Sequence, residues 1–142
     1  LSAQISCIID LVNSGACASR KETPMKISRI AELLHAEVVS GMDLLDNDVH
    51  SACGSDMMSD VLAYVKDQAV LLTGLVNAQV IRTAEMMDMI CIVFVREKRP
   101  TEEMIRLAQD AGIVLMATDK RMYEACGILY SNGLVGNKTV RR

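Results

Sequence analysis

Aromatic residues are scarce in this sequence, which has no tryptophan, one phenylalanine and three tyrosines. A hydrophobic core must therefore be built from aliphatic side chains and from the ten methionines, whose flexible thioethers fill irregular gaps. Long apolar runs are also missing, since none approaches the roughly 20 residues that span a bilayer and none follows a Lys/Arg-led signal segment. From these absences we expect a cytoplasmic protein with no membrane partner.

Cysteine and histidine are too sparse and too scattered to specify a metal site. The five cysteines, at positions 7, 17, 53, 91 and 126, include no CxxC pair, and only His35 and His50 add nitrogen ligands. An odd, dispersed set of thiols is typical of a reduced compartment. We therefore expect no metal, no iron–sulfur cluster and no other cofactor.

The sequence also lacks the dense cluster of positive charges that proteins use to bind nucleic acids. The 15 Lys and Arg residues are outnumbered by 18 Asp and Glu residues, and only Arg96, Lys98 and Arg99 form a local basic cluster. Because an acidic chain is repelled by a phosphate backbone, no nucleic-acid partner is expected. The 142 residues, 51% of them hydrophobic, suffice for one domain with its own core.

The first 24 residues differ in character from those that follow. Pro24 interrupts any helix there, and residues 20–22 (Arg-Lys-Glu) can be encoded by a purine-only stretch that resembles a bacterial ribosome-binding site, just ahead of Met25. We therefore expect residues 1–24 to be a leader or non-native extension. The alternative is a genuine amphipathic helix around residues 5–12. Residues 25–136 are predicted to form one domain, and residues 137–142 a flexible tail.

From Met25 onward, short apolar runs alternate with segments of helical periodicity. Strands are predicted at residues 37–40, 49–53, 69–73, 89–95 and 113–117. Helices are predicted to follow caps at Ser28, at Ser55 or Asp56, at Asn77, at Thr101 and at Thr118 or Asp119. Unbroken apolar runs suit strands that are covered on both faces. The predicted fold is α/β, with a mainly parallel sheet and helices packed on its faces.

Polar and small residues follow four of these strands at the point where each strand ends. In a parallel sheet those junctions share one edge, where helix N-termini and small residues expose backbone N–H groups to a ligand. The candidate ligand-binding residues are Ser55, Asp56, Thr73, Gly74, Asn77, Arg96, Lys98, Thr118 and Asp119. Helix capping accounts for each of them individually, so a purely structural role stays open.

A catalytic set is not apparent. Residues 133–139 resemble a phosphate loop only superficially, because the spacing departs from the P-loop pattern and no room is left for the helix that would hold the phosphate. Cys53 precedes a predicted helix but lacks a positioned base, since strand alternation places His50 on the opposite face. Asp56 and Asp60 are better explained as a cap and a solvated acid. We therefore predict that the chain is not an enzyme.

Three segments carry a resemblance to a known family. Residues 51–63 (SACGSDMMSDVLA), 71–84 (LLTGLVNAQVIRTA) and 110–118 (DAGIVLMAT) are similar to the DRTGG domain family, over about residues 25–134. The resemblance implies an α/β fold like the N-terminal domain of HPr kinase and a non-catalytic regulatory or dimer-forming role. For short stand-alone members it also implies association with iron-only hydrogenase gene clusters. The naming pentapeptide is absent, so no family residue is carried over.

Together, these observations predict a non-catalytic regulatory or ligand-sensing domain that binds a nucleotide or other anionic metabolite at the strand-end edge. The alternative is a dimerisation or interaction scaffold, such as an accessory of iron-only hydrogenase systems with a redox or hydrogenase partner protein. A homodimer is expected in either case, because the resemblance implies one and because the high apolar content favours an exposed patch to bury.

Overall fold

A computed structural model describes residues 23–64 and 68–136. The predicted leader falls almost entirely on residues 1–22, and the predicted tail on residues 137–142, so both lie outside the described residues. The elements are β1 (Met25–Lys26), α1 (Ile27–Leu34), β2 (Glu37–Ser40), a 3-10 helix (Met42–Leu44), β3 (Asp48–Val49), β4 (Ser51–Gly54), α2 (Met58–Tyr64), β5 (Ala69–Thr73), α3 (Ala78–Met86), β6 (Cys91–Phe94), α4 (Glu102–Ala111), β7 (Val114–Ala117) and α5 (Met122–Ser131).

The central sheet has five strands in the order β2-β7-β6-β5-β4. Strands β4, β5, β6 and β7 are parallel neighbours, whereas β2 runs antiparallel to β7. A second, two-stranded antiparallel ladder joins β1 to β3. The mainly parallel α/β prediction is therefore confirmed.

Helices cover both faces of the sheet. The core on one face packs α2, α3 and α4 through residues such as Val61, Ile81 and Met104. The core on the other face packs α1 and α5 through Ile30 and Leu129. Because helices cover both faces of the sheet, all five residues of β5 and all four of β6 are buried. This is why the sequences of these strands are unbroken apolar runs.

Three of the predicted helix-terminating residues have the predicted role in the structure. The side chains of Asn77 and Thr101 accept hydrogen bonds from the amides of Val80 and Met104, and so cap α3 and α4. Gly112 ends α4 with φ of 70°, in the left-handed region that favours glycine. Among the described residues, no helix has the length and apolar content needed to cross a membrane.

Other predicted boundaries were wrong. Ser28 does not cap α1, because the helix begins at Ile27 and its N-cap position is Lys26, without a side-chain hydrogen bond. The strand predicted over residues 49–53 is two strands, since β3 pairs with β1 and β4 pairs with β5. Neither Thr118 nor Asp119 opens α5, whose N-cap position is Arg121. In each case tertiary pairing overrides the local signal.

Candidate functional site

The carboxyl ends of β4, β5, β6 and β7 lie side by side at one edge of the sheet. Register pairs Gly54 with Leu72, Thr73 with Phe94, and Phe94 with Ala117, so the four strands stop within about one residue of each other. The segments that follow these strands therefore share one surface, which we call the strand-end edge. All nine residues predicted from the sequence lie in or directly after these strand ends.

Asp56 links three of the four strand ends. One oxygen of its carboxylate accepts hydrogen bonds from the Thr73 hydroxyl at 3.0 Å and from the Gly74 amide at 2.7 Å. The other oxygen accepts a hydrogen bond from Nη2 of Arg96 at 3.1 Å. The sequence suggested that Asp56 or Ser55 caps α2, and the structure assigns a different role to Asp56. It ties β4 to β5 and β6.

These contacts keep the Asp56 carboxyl ionised. Its pKa is lowered, chiefly by the hydrogen bond from the Gly74 amide and also by the Thr73 hydroxyl and the positive charge of Arg96, against the opposing effect of burial. At neutral pH the group is therefore a fixed negative charge. It cannot serve as a general acid, and it neutralises the nearest arginine.

We expect Asp56→Asn to lower stability in a pH-dependent way. A carboxyl with a depressed pKa stabilises the fold above its unfolded pKa of about 3.9 and loses that contribution as the pH falls through the folded pKa. The difference between wild type and variant should be about 1 kcal/mol at neutral pH, since the pair is half exposed. Urea unfolding measured from neutral to acid pH should show a constant difference down to about pH 5, which then shrinks as the pH falls below the unfolded pKa of about 3.9 and through the lowered folded pKa. A difference that does not change with pH over the whole acid range would contradict the assignment.

Arg96 lies directly over Gly74. A Cβ atom at Gly74 would come within 1.9 Å of Nη2 of Arg96, so only glycine permits this approach. Arg96 and Glu97 both adopt left-handed backbone angles, with φ of 59° and 60°. Their amides are held by the carbonyls of Lys120, at 2.8 Å, and Thr118, at 3.0 Å. The loop after β6 is thus tied to the loop after β7.

The remaining predicted residues divide into two groups. Ser55, Asn77 and Thr118 make structural contacts: the first two accept hydrogen bonds from the nearby amides of Met57 and Val80, and the third donates to the distant carbonyl of Leu34. Lys98 and Asp119 are exposed on the strand-end edge. The structure therefore brings Asp56, Thr73, Gly74 and Arg96 into one cluster and leaves the others around it.

Arg121 is a residue of this edge that sequence reasoning missed. It lines a groove with Arg96, Glu97 and Asp119, which we call the arginine groove. The groove contains two positive and two negative side chains. Arg121 occupies the N-cap position of α5, and that helix start has no side-chain cap. Sequence reasoning did not select Arg121 because it predicted that α5 begins at Thr118 or Asp119, which placed Arg121 inside the helix.

The sequence profile of the DRTGG domain matches residues 29–131. The chain belongs to the DRTGG domain family. The match covers most of the chain, from within α1 to the end of α5. The resemblance deduced from the three sequence segments is therefore confirmed. No curated protein matches this chain in sequence.

A solved structure with the same fold is that of the CBS and DRTGG domains of the regulatory region of Clostridium perfringens pyrophosphatase, complexed with its activator, diadenosine tetraphosphate. The two chains are 14% identical, with a TM-score of 0.64. The alignment covers 81% of this chain and 51% of that one, so this DRTGG domain spans about half of the regulatory region. At this identity the comparison supports the fold alone.

The cysteines of the DRTGG domain are held as neutral thiols. Burial raises the pKa of Cys53, and the neighbouring Cys126 and Asp60 raise it further. Burial likewise raises the pKa of Cys91, which lies wholly inside the core, and that of Cys126. A thiolate nucleophile at Cys53 is therefore disfavoured. Within residues 23–64 and 68–136, no three acidic, cysteine or histidine side chains are placed to hold a metal ion.

Proposed function

We propose that this DRTGG domain is a ligand-responsive regulatory module that binds an anionic metabolite, a nucleotide or other phosphorylated compound, at the strand-end edge. The observation that carries the proposal is the arginine groove, where the loops that follow two adjacent parallel strands bring Arg96 and Arg121 to the lining of one groove. The carboxyl edge of an open parallel sheet is the usual ligand site of such folds. No step of this function requires a catalytic group.

The charges in the groove favour a ligand that offers more than a bare phosphate. Arg96 is already paired with Asp56, and Glu97 and Asp119 offset the positive charge of Arg121. An isolated anion therefore gains little there. A nucleotide can place its phosphates near Arg121, while the carboxylates of Glu97 and Asp119 accept hydrogen bonds from ribose hydroxyls or hold a phosphate-bound Mg²⁺. We therefore expect nucleotides to bind better than inorganic phosphate.

The ligand of the comparison structure indicates which nucleotides to test first. The pyrophosphatase regulatory region that shares this fold is complexed with diadenosine tetraphosphate, an adenine nucleotide activator. That region also contains CBS domains, and this chain corresponds to about half of it. Adenine nucleotides are thus the first compounds to try, and binding by this domain alone is part of what the experiment tests.

A thermal-shift screen of the full chain tests the proposal directly. Adenine and guanine mononucleotides, diadenosine tetraphosphate and inorganic phosphate are added with and without Mg²⁺. A ligand at about 100 times its dissociation constant should add roughly 2.7 kcal/mol of stability, which raises Tm by several degrees. Arg121→Gln and Gly74→Val, whose side chain displaces the Arg96 guanidinium, should each abolish most of that shift.

Arg106→Gln is the matched control, because Arg106 is an exposed arginine on α4 that does not line the arginine groove. It should leave the ligand-induced shift unchanged. Two results would contradict the proposal: no compound changes Tm, or the ligand-induced shift in Tm is the same in Arg121→Gln and Gly74→Val as in the wild type. The strand-end edge would then have a structural role only, and the interaction-scaffold alternative would be favoured. Under that alternative the domain serves as an accessory of another protein, and its hydrogenase or redox partner stays a prediction.

We propose a cytoplasmic protein in which residues 25–136 form the DRTGG domain and residues 1–24 are a leader. A chain that begins at Met25 should then unfold at the same temperature as the full chain. Loss of folding in that shorter chain would instead favour the amphipathic helix around residues 5–12.

A further inference from the structure

A second groove adjoins the arginine groove at the strand-end edge. It lies where the end of β7 meets the start of β2, since the register of these antiparallel neighbours pairs Ala117 with Glu37. Glu97 and Asp119 line both grooves, so the two grooves are continuous. We call the second one the histidine groove, which is lined by His35, Glu37, Glu97, Arg99, Ala117, Thr118 and Asp119. A ligand held in the arginine groove can therefore extend into the histidine groove.

His35 has the one aromatic ring among the described residues that line the two grooves. It is exposed and occupies the C-cap position of α1, with a left-handed φ of 48°. The hydroxyl of Thr118 donates a hydrogen bond of 2.8 Å to the carbonyl of Leu34, which ties the end of α1 to the end of β7. The backbone that carries the imidazole is thus fixed beside the groove. A ring in this position is a platform on which a flat heterocycle can stack.

The charges of the histidine groove disfavour a phosphate and favour groups that donate hydrogen bonds. The lining has three carboxylates against one guanidinium, so it repels an anion. Glu37 is paired with Arg99, whereas Glu97 and Asp119 are exposed and form no ion pair with any described residue. The phosphates of a nucleotide therefore stay in the arginine groove near Arg121. Its base and ribose enter the histidine groove, where free carboxylates accept hydrogen bonds.

Guanine matches a free carboxylate better than the other common bases do. Its N1–H and its exocyclic amino group are adjacent donors, so one carboxylate accepts two parallel hydrogen bonds from it, as it does from an arginine. Adenine and cytosine present an amino group beside a ring nitrogen whose lone pair a carboxylate repels. Uracil offers a single donor between two carbonyl groups. Two unpaired carboxylates thus select guanine by its donors.

We propose that the histidine groove is a guanine site, in which the base stacks on the His35 ring and donates hydrogen bonds to the carboxylates that Glu97 and Asp119 present. This inference rests on the proposed nucleotide function and adds to it the choice of base. The loop geometry suits the role, because the Glu97 amide donates to the carbonyl of Thr118 at 3.0 Å. That hydrogen bond holds Glu97 beside β7 and so between the two grooves.

Isothermal titration calorimetry of the full chain with guanosine, inosine and adenosine diphosphates, each with Mg²⁺, tests the base preference. The guanosine nucleotide should bind about tenfold or more tightly than the adenosine nucleotide. The inosine nucleotide keeps N1–H but lacks the amino group, so its affinity should lie between the two. The same order of affinities is expected whichever of the two carboxylates accepts from the base.

His35→Asn removes the stacking ring, and asparagine tolerates the left-handed backbone of the helix end. It should weaken binding of guanosine diphosphate about tenfold. His50→Asn is the matched control, because His50 is an exposed histidine that lines neither groove, and it should leave the affinity unchanged. Melting curves without ligand check that both variants are folded.

The double variant Glu97→Gln, Asp119→Asn keeps the size of both side chains and should remove most of the preference for guanosine over adenosine diphosphate. The ratio of the two affinities is the readout, because the loss of two negative charges near the phosphates raises the affinity for every nucleotide. The inference alone is overturned if adenosine diphosphate binds as tightly as guanosine diphosphate while Arg121→Gln weakens both. It is also overturned if His35→Asn has no effect or if the double variant keeps the preference. If none of the three nucleotides binds, the proposed function fails as well.

Discussion

Met104→Ala should lower the free energy of unfolding by about 2–5 kcal/mol, the range for large-to-small substitutions in a core. Met104 lies on α4, has no solvent exposure and packs in the core that α2, α3 and α4 share. Truncation removes its contacts and leaves a cavity, because the surrounding aliphatic side chains relax only in part. In a chain with one phenylalanine and no tryptophan, methionines provide much of this packing.

Met86→Ala is the matched control for that substitution. Met86 is the last residue of α3 and is 73% exposed, so its truncation should change the free energy of unfolding by no more than about 0.5 kcal/mol. Urea denaturation of both variants at one protein concentration measures the difference. Equal effects of the two substitutions would mean that the core does not include α4 as described.

Gly41→Ala should lower the free energy of unfolding by about 2–3 kcal/mol, from two causes that add. Gly41 has a φ of 87°, where an L-residue costs about 1–2 kcal/mol. A Cβ there would also lie 3.0 Å from Cγ2 and 3.1 Å from Cα of Val114. Val114 belongs to β7, which lies between β2 and β6 and has little room to move. Forcing an added carbon against it strains the sheet.

Gly112→Ala separates the two causes. Gly112 also has a left-handed backbone, with φ of 70°, but a Cβ there would meet nothing within 4 Å. The expected loss is therefore only the backbone term of about 1 kcal/mol. Thermal and urea unfolding of the two alanine variants should rank Gly41→Ala below Gly112→Ala in stability. The reverse order would contradict the close approach of Gly41 to β7.

The contacts of Asp56 change which positive charges of the candidate site are available to a ligand. From the sequence, Arg96 and Lys98 form a basic cluster that Asp56 and Asp119 oppose. In the fold, Asp56 holds Arg96 over Gly74 and is itself satisfied by Thr73 and Gly74. At the strand-end edge, Arg96, Arg99 and Lys120 are paired with Asp56, Glu37 and Glu124, which leaves Arg121 and Lys98 as the cations of this edge without an ion pair among the described residues. This is why the proposed nucleotide test is built on Arg121 and Gly74 rather than on Asp56.

The sequence by itself determined the family and the order in which the five helices follow the strands of the central sheet. Unbroken apolar runs such as Ala69–Thr73 can be buried only between two layers of helices, which made the parallel sheet predictable. Asn77, Thr101 and Gly112 also acted as predicted, because a cap contacts backbone groups within a few residues of itself. Three short segments sufficed to indicate the DRTGG domain, which the profile match over residues 29–131 confirms.

Only the tertiary structure decided what the polar side chains at the strand ends contact. Asp56 and Thr118 are as well suited to capping as Asn77, yet Asp56 binds groups 17, 18 and 40 residues away, and Thr118 donates to a carbonyl 84 residues away. The same holds for β2, which joins the sheet antiparallel to β7, and for Arg121, which lines one groove with Arg96 from a different loop. Local patterns fix contacts between near neighbours in sequence. Contacts between distant segments depend on which strands lie side by side, and that is set by how the whole chain packs.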